Sequence, residues 1–293
     1  MIAPESDEQV PELWQALGLP GIVDLHVHFM PSNVMDKVWA YFDAAGPLVG
    51  RPWPISYRED EQSRLARLRA MGVLAFPSLL YPHRPGMAEW LNGWAADFAD
   101  RHVDVLRTAT FFPEPSAAGY VERALSAGTQ IFKAHVQVGG YDPRDPLLDP
   151  VWELLAAAGI PVIVHCGNGP APGSFTGAPI FADVLASHPA LTAVIAHLGL
   201  PDYADFLTLA ERYPRVHLDT TMAFTSWTEQ TAPFPRELLP RLVALQDRIV
   251  LGSDFPNLPY PFFEQLAGLV RLDLGEDWLR AVLYGNAVRL LGL

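Results

Sequence analysis

Two histidines separated by a single residue, His26 and His28, are the first side chains of this sequence whose spacing indicates chemistry. They end an apolar run typical of a β-strand, in which alternate residues face the same side. The two imidazoles are therefore predicted to point in one direction, with Asp24 on the same face one layer deeper. Such a pair can bind one metal ion, but a chance pair or a packed core pair has the same spacing, so both interpretations stay open at this point.

Three more groups are predicted to occupy the same structural position in later apolar runs. His165 ends the run VIVH, His197 ends AVIAH, and Asp254 ends IVLGSD. A single histidine after apolar residues is more often a hydrogen-bonded core residue than a ligand. Five such groups at the carboxyl ends of strands are hard to explain that way, and together they predict a metal site.

The elements that must position these groups alternate between short apolar runs and amphipathic helical runs, an order typical of α/β proteins. A doubly wound sheet would carry a glycine-rich phosphate loop after its first strand, where this chain has His-Val-His-Phe-Met-Pro. Eight strands, each followed by helix, are the count of a (β/α)8 TIM barrel, whose active site lies at the carboxyl ends of its strands. The predicted strands are Gly21–His28, Val73–Leu79, Val105–Phe112, Gln130–Val136, Pro161–Cys166, Thr192–His197, Val216–Thr221 and Arg248–Asp254.

Neither an internal repeat nor a low-complexity linker interrupts this order, so residues 1–293 are predicted to form one TIM-barrel domain. Residues 1–20 are interpreted as an N-terminal extension. Residues 30–60 are predicted to be a long loop over the barrel mouth. The aromatic residues of that loop, with Lys37 and Arg51, either form a lid over a planar substrate with a carboxylate or pack against the rim or a neighbouring subunit.

Composition excludes several classes of protein. Twenty basic and 33 acidic side chains give a net charge of −13, which argues against nucleic acid as a partner. The longest apolar stretch is too short to span a membrane, and the acidic N-terminus does not resemble a targeting peptide. The single cysteine, Cys166, precludes an intrachain disulfide and favours a cytoplasmic location; it is predicted to be buried and to face away from His165.

The motifs occur in the order found in a known superfamily. They are DLHVHFMP at 24–31, FKAH at 132–135, VHCG at 164–167, HLG at 197–199, LGSDFP at 251–256 and YGNAVRLLGL at 284–293. From about Gly21 to its C-terminus the chain resembles the amidohydrolase superfamily, and within it the amidohydrolase-2 branch of decarboxylases, hydrolases and lactonases, which includes the aminocarboxymuconate-semialdehyde decarboxylase-like proteins. The resemblance is specific for fold and metal chemistry and weak for substrate.

The resemblance implies a role for each matching residue. His26, His28, His165 and Asp254 match the metal ligands of the family. Asp254 also matches the residue that accepts the proton of the attacking water. His197 matches the histidine that polarises the substrate and shuttles protons or, in other members, binds a second metal.

Lys133 and His135 are ambiguous. In binuclear members of the superfamily a carboxylated lysine at the position of Lys133 bridges two metal ions. Lys133 is alternatively a cationic anchor for a substrate carboxylate, or a structural lysine paired with Asp219 or Asp254. His135 shares its strand face and either lines the pocket or supports a ligand from behind.

The sequence therefore predicts a metal-dependent hydrolase that acts on an ester, lactone or amide bond of a small carbonyl or carboxylate compound through metal-activated water. Non-oxidative decarboxylation of an unsaturated or aromatic acid is the alternative; a metal-free lactonase and a non-catalytic barrel are weaker ones. Zinc is the first choice of metal, with manganese or iron as alternatives, and one ion is favoured over two. The predicted partner is a small-molecule substrate. A homodimer stays open as an interpretation, because dimers are the commonest assemblies of soluble proteins.

Overall fold

The structure, a computed structural model, describes residues 1–293. Its strands are β1 (Ile22–Val23), β2 (Val73–Pro77), β3 (Val105–Leu106), β4 (Thr108–Thr110), β5 (Ile131–His135), β6 (Val162–His165), β7 (Ala193–Ile195), β8 (Val216–Asp219) and β9 (Ile249–Val250). Its α-helices are Val10–Ala16, Ser32–Ala44, Gly46–Val49, Glu61–Ala70, Ala88–Arg101, Ala117–Ser126, Val136–Gly139, Asp149–Ala158, Ala178–Ser187, Tyr203–Arg212, Leu239–Ala244, Phe263–Arg271, Glu276–Arg280 and Asn286–Leu291. None of these helices is long and apolar enough to cross a bilayer.

The chain forms two compact units. The first consists of Met1–Phe76 with Thr220–Leu293, and the second of Pro77–Asp219. The interpretation of residues 1–293 as one domain stays a prediction.

The second unit is built on a parallel sheet in the order β4-β5-β6-β7-β8. Every residue of β4, β5, β6 and β7 is buried, as expected for a parallel sheet whose two faces are covered by helices. In the register of β5 and β6, Lys133 pairs with Ile163 and His135 pairs with His165. His135 and His165 therefore lie at the same level of the sheet.

In the first unit, β1 pairs in parallel with β2. Helix Glu61–Ala70 leads into β2, and its first turn is closed by the Asp60 carboxylate, which accepts a hydrogen bond from the backbone N–H of Ser63 at 2.9 Å. Gly72 follows the helix with a φ of +83°, and a Cβ there would lie 2.5 Å from the Trp14 ring, so only glycine fits this turn.

The α/β class predicted from the sequence is confirmed. Each of the eight predicted strands contains at least one observed strand, and the third is divided at Arg107, whose N–H is bonded to the side chain of Gln130. The predicted ends were wrong, because the regular strands stop before His26, His197 and Asp254. At these positions the backbone is held by hydrogen bonds between loops, and His197 and Asp254 have positive φ angles.

Residues 30–60, predicted to be a long loop over the barrel mouth, include regular structure. They contain helices Ser32–Ala44 and Gly46–Val49. Pro31 precedes the first of these helices, and Met35 is its buried residue. The N-terminal extension also contains a helix, Val10–Ala16, which buries Val10 and Leu13. An amphipathic helix of this kind is stabilised by the packing of its apolar face.

Candidate metal centre

Two segments of the first unit carry a histidine pair and an aspartate side by side. The Leu25 N–H donates to Leu251 O at 2.9 Å, and the His28 N–H donates to Phe255 O at 2.7 Å. Between them the Asp254 N–H donates to His26 O at 2.8 Å. A short parallel ladder beyond the end of β1 therefore holds the His26–His28 segment against the Asp254 segment.

Asp24 ties the same two segments together with its buried carboxylate. Its Oδ1 accepts from the N–H of His26 at 3.0 Å and from the N–H of Ser253 at 3.1 Å, and its Oδ2 accepts from the Ser253 hydroxyl. These three hydrogen bonds fix the position of the carboxylate between the two segments. Asp24 thus binds His26 itself and Ser253, the residue that precedes Asp254.

The side chains of His26, His28 and Asp254 converge on one point. His28 Nε2 lies 2.8 Å from Asp254 Oδ1, and His26 Nε2 lies 3.6 Å from the same oxygen. The two imidazole rings meet edge to face with centroids 5.2 Å apart. Both histidines are buried, whereas 13% of the Asp254 side chain is exposed, so the cluster is covered except on the aspartate side.

This donor set fits a divalent metal ion. Two imidazole nitrogens and a carboxylate oxygen lie within 4.8 Å of one another. Ligand atoms around a tetrahedral zinc ion stand roughly 3.3 Å apart, given bond lengths of about 2.0–2.2 Å. The three groups therefore match zinc in chemistry and need only small movements to match it in distance, and imidazole with carboxylate also suits manganese or iron.

Asp254 adopts a backbone conformation that L-residues rarely take, with a φ of +80°. Its carbonyl oxygen accepts a hydrogen bond from the Asn257 N–H at 2.9 Å, which closes a tight turn after the carboxylate. Farther along this loop, burial raises the pKa of Tyr260 well above its usual value, and the charge of Asp254 raises it further. The phenol therefore stays neutral at physiological pH.

Four titratable side chains collect in the second unit. The rings of His135 and His165, which are register partners, stack with centroids 4.1 Å apart and an angle of 11° between their planes. Tyr81 contacts the His135 ring, and His197 meets the His165 ring edge to face at 4.8 Å. Within this unit the structure brings together the three predicted histidines.

Hydrogen bonds fix the orientation of the stacked pair. His165 Nε2 lies 2.9 Å from Gly169 O; since a carbonyl oxygen only accepts, Nε2 is the donor in this bond. His135 Nδ1 accepts from the N–H of Val138 at 3.3 Å and caps the short helix Val136–Gly139. This lone pair of His135 is thereby engaged by its own backbone.

His197 sits on a left-handed turn, with a φ of +58°. Its N–H donates to Asp219 Oδ1 at 2.8 Å, so Asp219 orients His197 through the backbone. Gly199 completes the turn with a φ of +76°, and a Cβ there would lie 1.9 Å from the Phe206 ring. The HLG motif thus combines a polar group with the glycine that its backbone requires.

Lys133 is fully buried in β5, and Cys166 is buried just beyond β6. Burial raises the pKa of the Cys166 thiol, and the charge of Lys133 acts in the opposite direction. The prediction that Cys166 is buried is confirmed, and its thiol is neutral.

Comparison with known sequences shows the family. The profile of the Amidohydrolase family, amidohydrolase-2 type, matches residues 23–293. The chain belongs to this family. It is an enzyme of the amidohydrolase superfamily, as the sequence motifs predicted. No curated protein matches the chain.

Solved structures show the fold of this amidohydrolase. An uncharacterised TIM-barrel protein from Bordetella bronchiseptica is 21% identical with a TM-score of 0.71, over 93% of this chain and 98% of that one. A 5-carboxyvanillate decarboxylase from Sphingomonas paucimobilis is 17% identical with a TM-score of 0.65, over 94% and 99% of the two chains. A putative 2-pyrone-4,6-dicarboxylic acid hydrolase from Pseudomonas putida is 18% identical with a TM-score of 0.63, over 93% and 98%. The fold is the (β/α)8 TIM barrel, as predicted.

Some residues around the candidate metal centre of this amidohydrolase were missed by the sequence analysis. Ser253 and Asn257 lie within three residues of Asp254 and bond to Asp24 and to the Asp254 carbonyl, respectively. The signal available was their place beside the LGSDFP motif. Nothing in their residue type distinguishes them from ordinary turn residues.

Proposed function

We propose that the protein is a metal-dependent hydrolase that cleaves an ester, lactone or amide bond in a small carbonyl or carboxylate compound. The convergence of His26, His28 and Asp254 on one point carries this proposal. Family membership and the donor set support it. The resemblance adds His165 as a further ligand and His197 as the group that polarises or protonates the substrate, and both roles stay predictions.

His26 and His28 would hold the ion, zinc as first choice and manganese or iron as alternatives. When bound, a divalent ion at this site supplies Lewis-acid chemistry, polarising a carbonyl oxygen and lowering the pKa of water. A single ion is favoured. Two ions with a carboxylated Lys133 remain the alternative.

Asp254 would have two tasks. One carboxylate oxygen faces the histidines and would help to hold the ion, and the partly exposed carboxylate would also take the proton of the attacking water. The oxygen of that water would form a bond to the carbonyl carbon. The bond from this carbon to the leaving oxygen or nitrogen would break, and the proton would end on that leaving atom.

Decarboxylation of an unsaturated or aromatic acid is the second candidate, favoured by the similarity to the 5-carboxyvanillate decarboxylase structure. In that reaction the bond between the carbon skeleton and its carboxylate breaks, carbon dioxide leaves, and the skeleton carbon takes a proton. The same acidic and basic groups would serve, with a carbon protonated instead of a heteroatom.

The test begins with metal content per chain, measured on protein purified without a metal-affinity tag. The protein is then incubated with a panel of lactones, esters, amides and hydroxylated aromatic acids in water enriched in ¹⁸O or deuterium, and products are analysed by mass spectrometry. Hydrolysis places ¹⁸O in the product acid, whereas decarboxylation releases carbon dioxide and places deuterium on carbon. The hydrolase proposal is overturned if the only turnover detected is decarboxylation.

A further inference from the structure

Asn257 occupies a central position in the loop that carries Asp254. It is buried, with 1% of its surface exposed, and its N–H donates to the Asp254 carbonyl oxygen at 2.9 Å. This bond closes the turn in which Asp254 has its left-handed φ of +80°. A non-glycine residue keeps such a conformation only where its surroundings hold it, so the direction of the Asp254 carboxylate depends on the contacts at both ends of the turn.

The turn is held at Asp254 by the backbone hydrogen bonds to the His26–His28 segment, and at Asn257 by two tryptophans. Trp39 Nε1 donates to Asn257 Oδ1 at 3.2 Å, and Trp53 Nε1 donates to Asn257 O at 2.8 Å. The Ser56 N–H donates to Leu258 O at 2.8 Å. Three hydrogen bonds therefore link residues 30–60 to Asn257 and Leu258.

The two tryptophans are themselves held in place. Trp53 stacks on Phe42 with centroids 5.1 Å apart and meets the Trp227 ring edge to face at 5.8 Å. The guanidinium of Arg64 lies 5.4 Å from the Trp39 ring, and that of Arg58 lies 5.6 Å from it. Because the donors are fixed by these contacts, Asn257 receives its hydrogen bonds from a rigid frame rather than from mobile side chains.

We propose that Asn257 is a positioning residue that transmits the position of residues 30–60 to the carboxylate of Asp254. The inference rests on the proposed function in so far as Asp254 binds a metal ion. Groups that orient a ligand without touching the metal typically change metal affinity by about 10- to 100-fold when they are removed. The side-chain bond from Trp39 is one of three attachments, so we expect a loss near the lower end of this range.

The experiment measures the affinity for Zn²⁺ by competition with a chromophoric chelator, together with the visible absorption of the Co²⁺-loaded protein. Asn257→Ala removes Oδ1 and leaves the backbone bonds to Asp254 and Trp53. Trp39→Phe removes the donor and keeps an aromatic ring. We expect about a tenfold weaker Zn²⁺ affinity in each variant and a changed Co²⁺ absorption band. The double variant should lose no more than either single one, since both remove the same hydrogen bond.

Trp14→Phe is the matched control. Trp14 Nε1 also donates to an acceptor in the first unit, Met71 O, at 3.1 Å, but that acceptor ends helix Glu61–Ala70 and is not in the Asp254 loop. This variant should unfold at a lower temperature with unchanged Zn²⁺ affinity. If its affinity falls as much as that of Trp39→Phe, the effect is one of general stability and the inference is overturned.

The remaining outcomes separate this inference from the proposed function. A wild-type protein that binds Zn²⁺, with affinity unchanged within twofold in Asn257→Ala and Trp39→Phe, overturns only the positioning role. Losses that add in the double variant also overturn it. The metal site, and this inference with it, is overturned if the wild-type protein binds no Zn²⁺, Mn²⁺ or Fe²⁺. It is also overturned if the His28→Ala variant binds these ions as tightly as the wild-type protein does.

Discussion

Histidines of the two units are arranged in opposite ways. In the first unit His26 and His28 direct their Nε2 atoms at a carboxylate oxygen of Asp254. In the second unit His135 and His165 lie face to face, and the nitrogens described above bond to backbone groups of Val138 and Gly169. The difference is that only the first group combines ring nitrogens with a facing carboxylate, and a divalent ion needs both lone pairs and negative charge.

The same comparison separates two ways of fixing an imidazole. The ladder of backbone bonds between the segments of His26 and Asp254 fixes the first pair, with Asp24 bridging both segments. Strand register fixes the second pair, because His135 and His165 are partners on neighbouring strands of a sheet buried on both faces. The first arrangement depends on a few hydrogen bonds in loops, and the second on the whole sheet.

Metal removal should therefore affect the two units differently, and this is the largest effect that we expect. Dialysis against a chelator should abolish turnover, and Zn²⁺ or Mn²⁺ should restore it. A ligand present at 1,000 times its dissociation constant stabilises the protein that binds it by about 4 kcal/mol. Amide hydrogen exchange should accelerate at residues 25–28 and 252–257 and change little in β4 and β5, which carry none of the ligands proposed for a single ion. Equal acceleration in both units would contradict the contrast drawn between them.

Substitution of one histidine from each unit sharpens the comparison. In His28→Ala we expect metal affinity to fall by about 100-fold or more, because a direct ligand is lost and the loss should exceed that of an orienting group. In His135→Ala the loss should be less than about tenfold. Metal affinity is measured by chelator competition, with circular dichroism as the check on folding. A larger loss in His135→Ala would reverse the assignment.

A milder change at His135 tests the role of its stacked ring. Asparagine keeps a side-chain oxygen that can cap helix Val136–Gly139, but it removes the ring that packs on His165. Aromatic pairs contribute about 0.5–1.5 kcal/mol, so His135→Asn should lower the free energy of unfolding by about 1 kcal/mol. Urea denaturation measures it. An unchanged midpoint would show that the stacked ring contributes nothing to stability.

The smallest expected effect concerns Cys166 in the second unit. Because burial raises the pKa of its thiol, the thiol stays neutral from pH 6 to pH 9 and is a poor nucleophile. We expect no reaction with a thiol reagent at about pH 8 in the native protein and one equivalent after unfolding in guanidinium. Rapid labelling of the native protein would show that Cys166 becomes exposed to solvent by local unfolding at the end of β6, which would contradict its burial beside a stable sheet.

Much of this architecture could be predicted from residue types and their periodicity. The helices Glu61–Ala70 and Ala88–Arg101 could be predicted, because their apolar spacing and boundary residues are local signals. The convergence of His26, His28 and Asp254 was also predictable. Strand order places the carboxyl ends of parallel strands together, and the motif order matches a family with that fold.

The ends of the strands were not predictable, and they decide the geometry of the sites. His197 and Asp254 have positive φ values, and apolar runs that continue to these residues look like uninterrupted strand. What holds His197 is a bond to Asp219, and what holds Asp254 is a bond to His26. Such partners are remote in the chain, so no window of local sequence contains both members of either pair.

The sequence by itself determined the α/β class, the family, and the residues able to bind a metal ion, because these follow from side-chain chemistry and hydrophobic periodicity. Only the tertiary structure decided which histidines direct a nitrogen at a carboxylate and which stack their ring on another imidazole. It also decided that Asn257, an ordinary turn residue in the sequence, receives the hydrogen bonds of two tryptophans. The physical reason is that the direction of a side chain depends on backbone angles that distant hydrogen bonds impose.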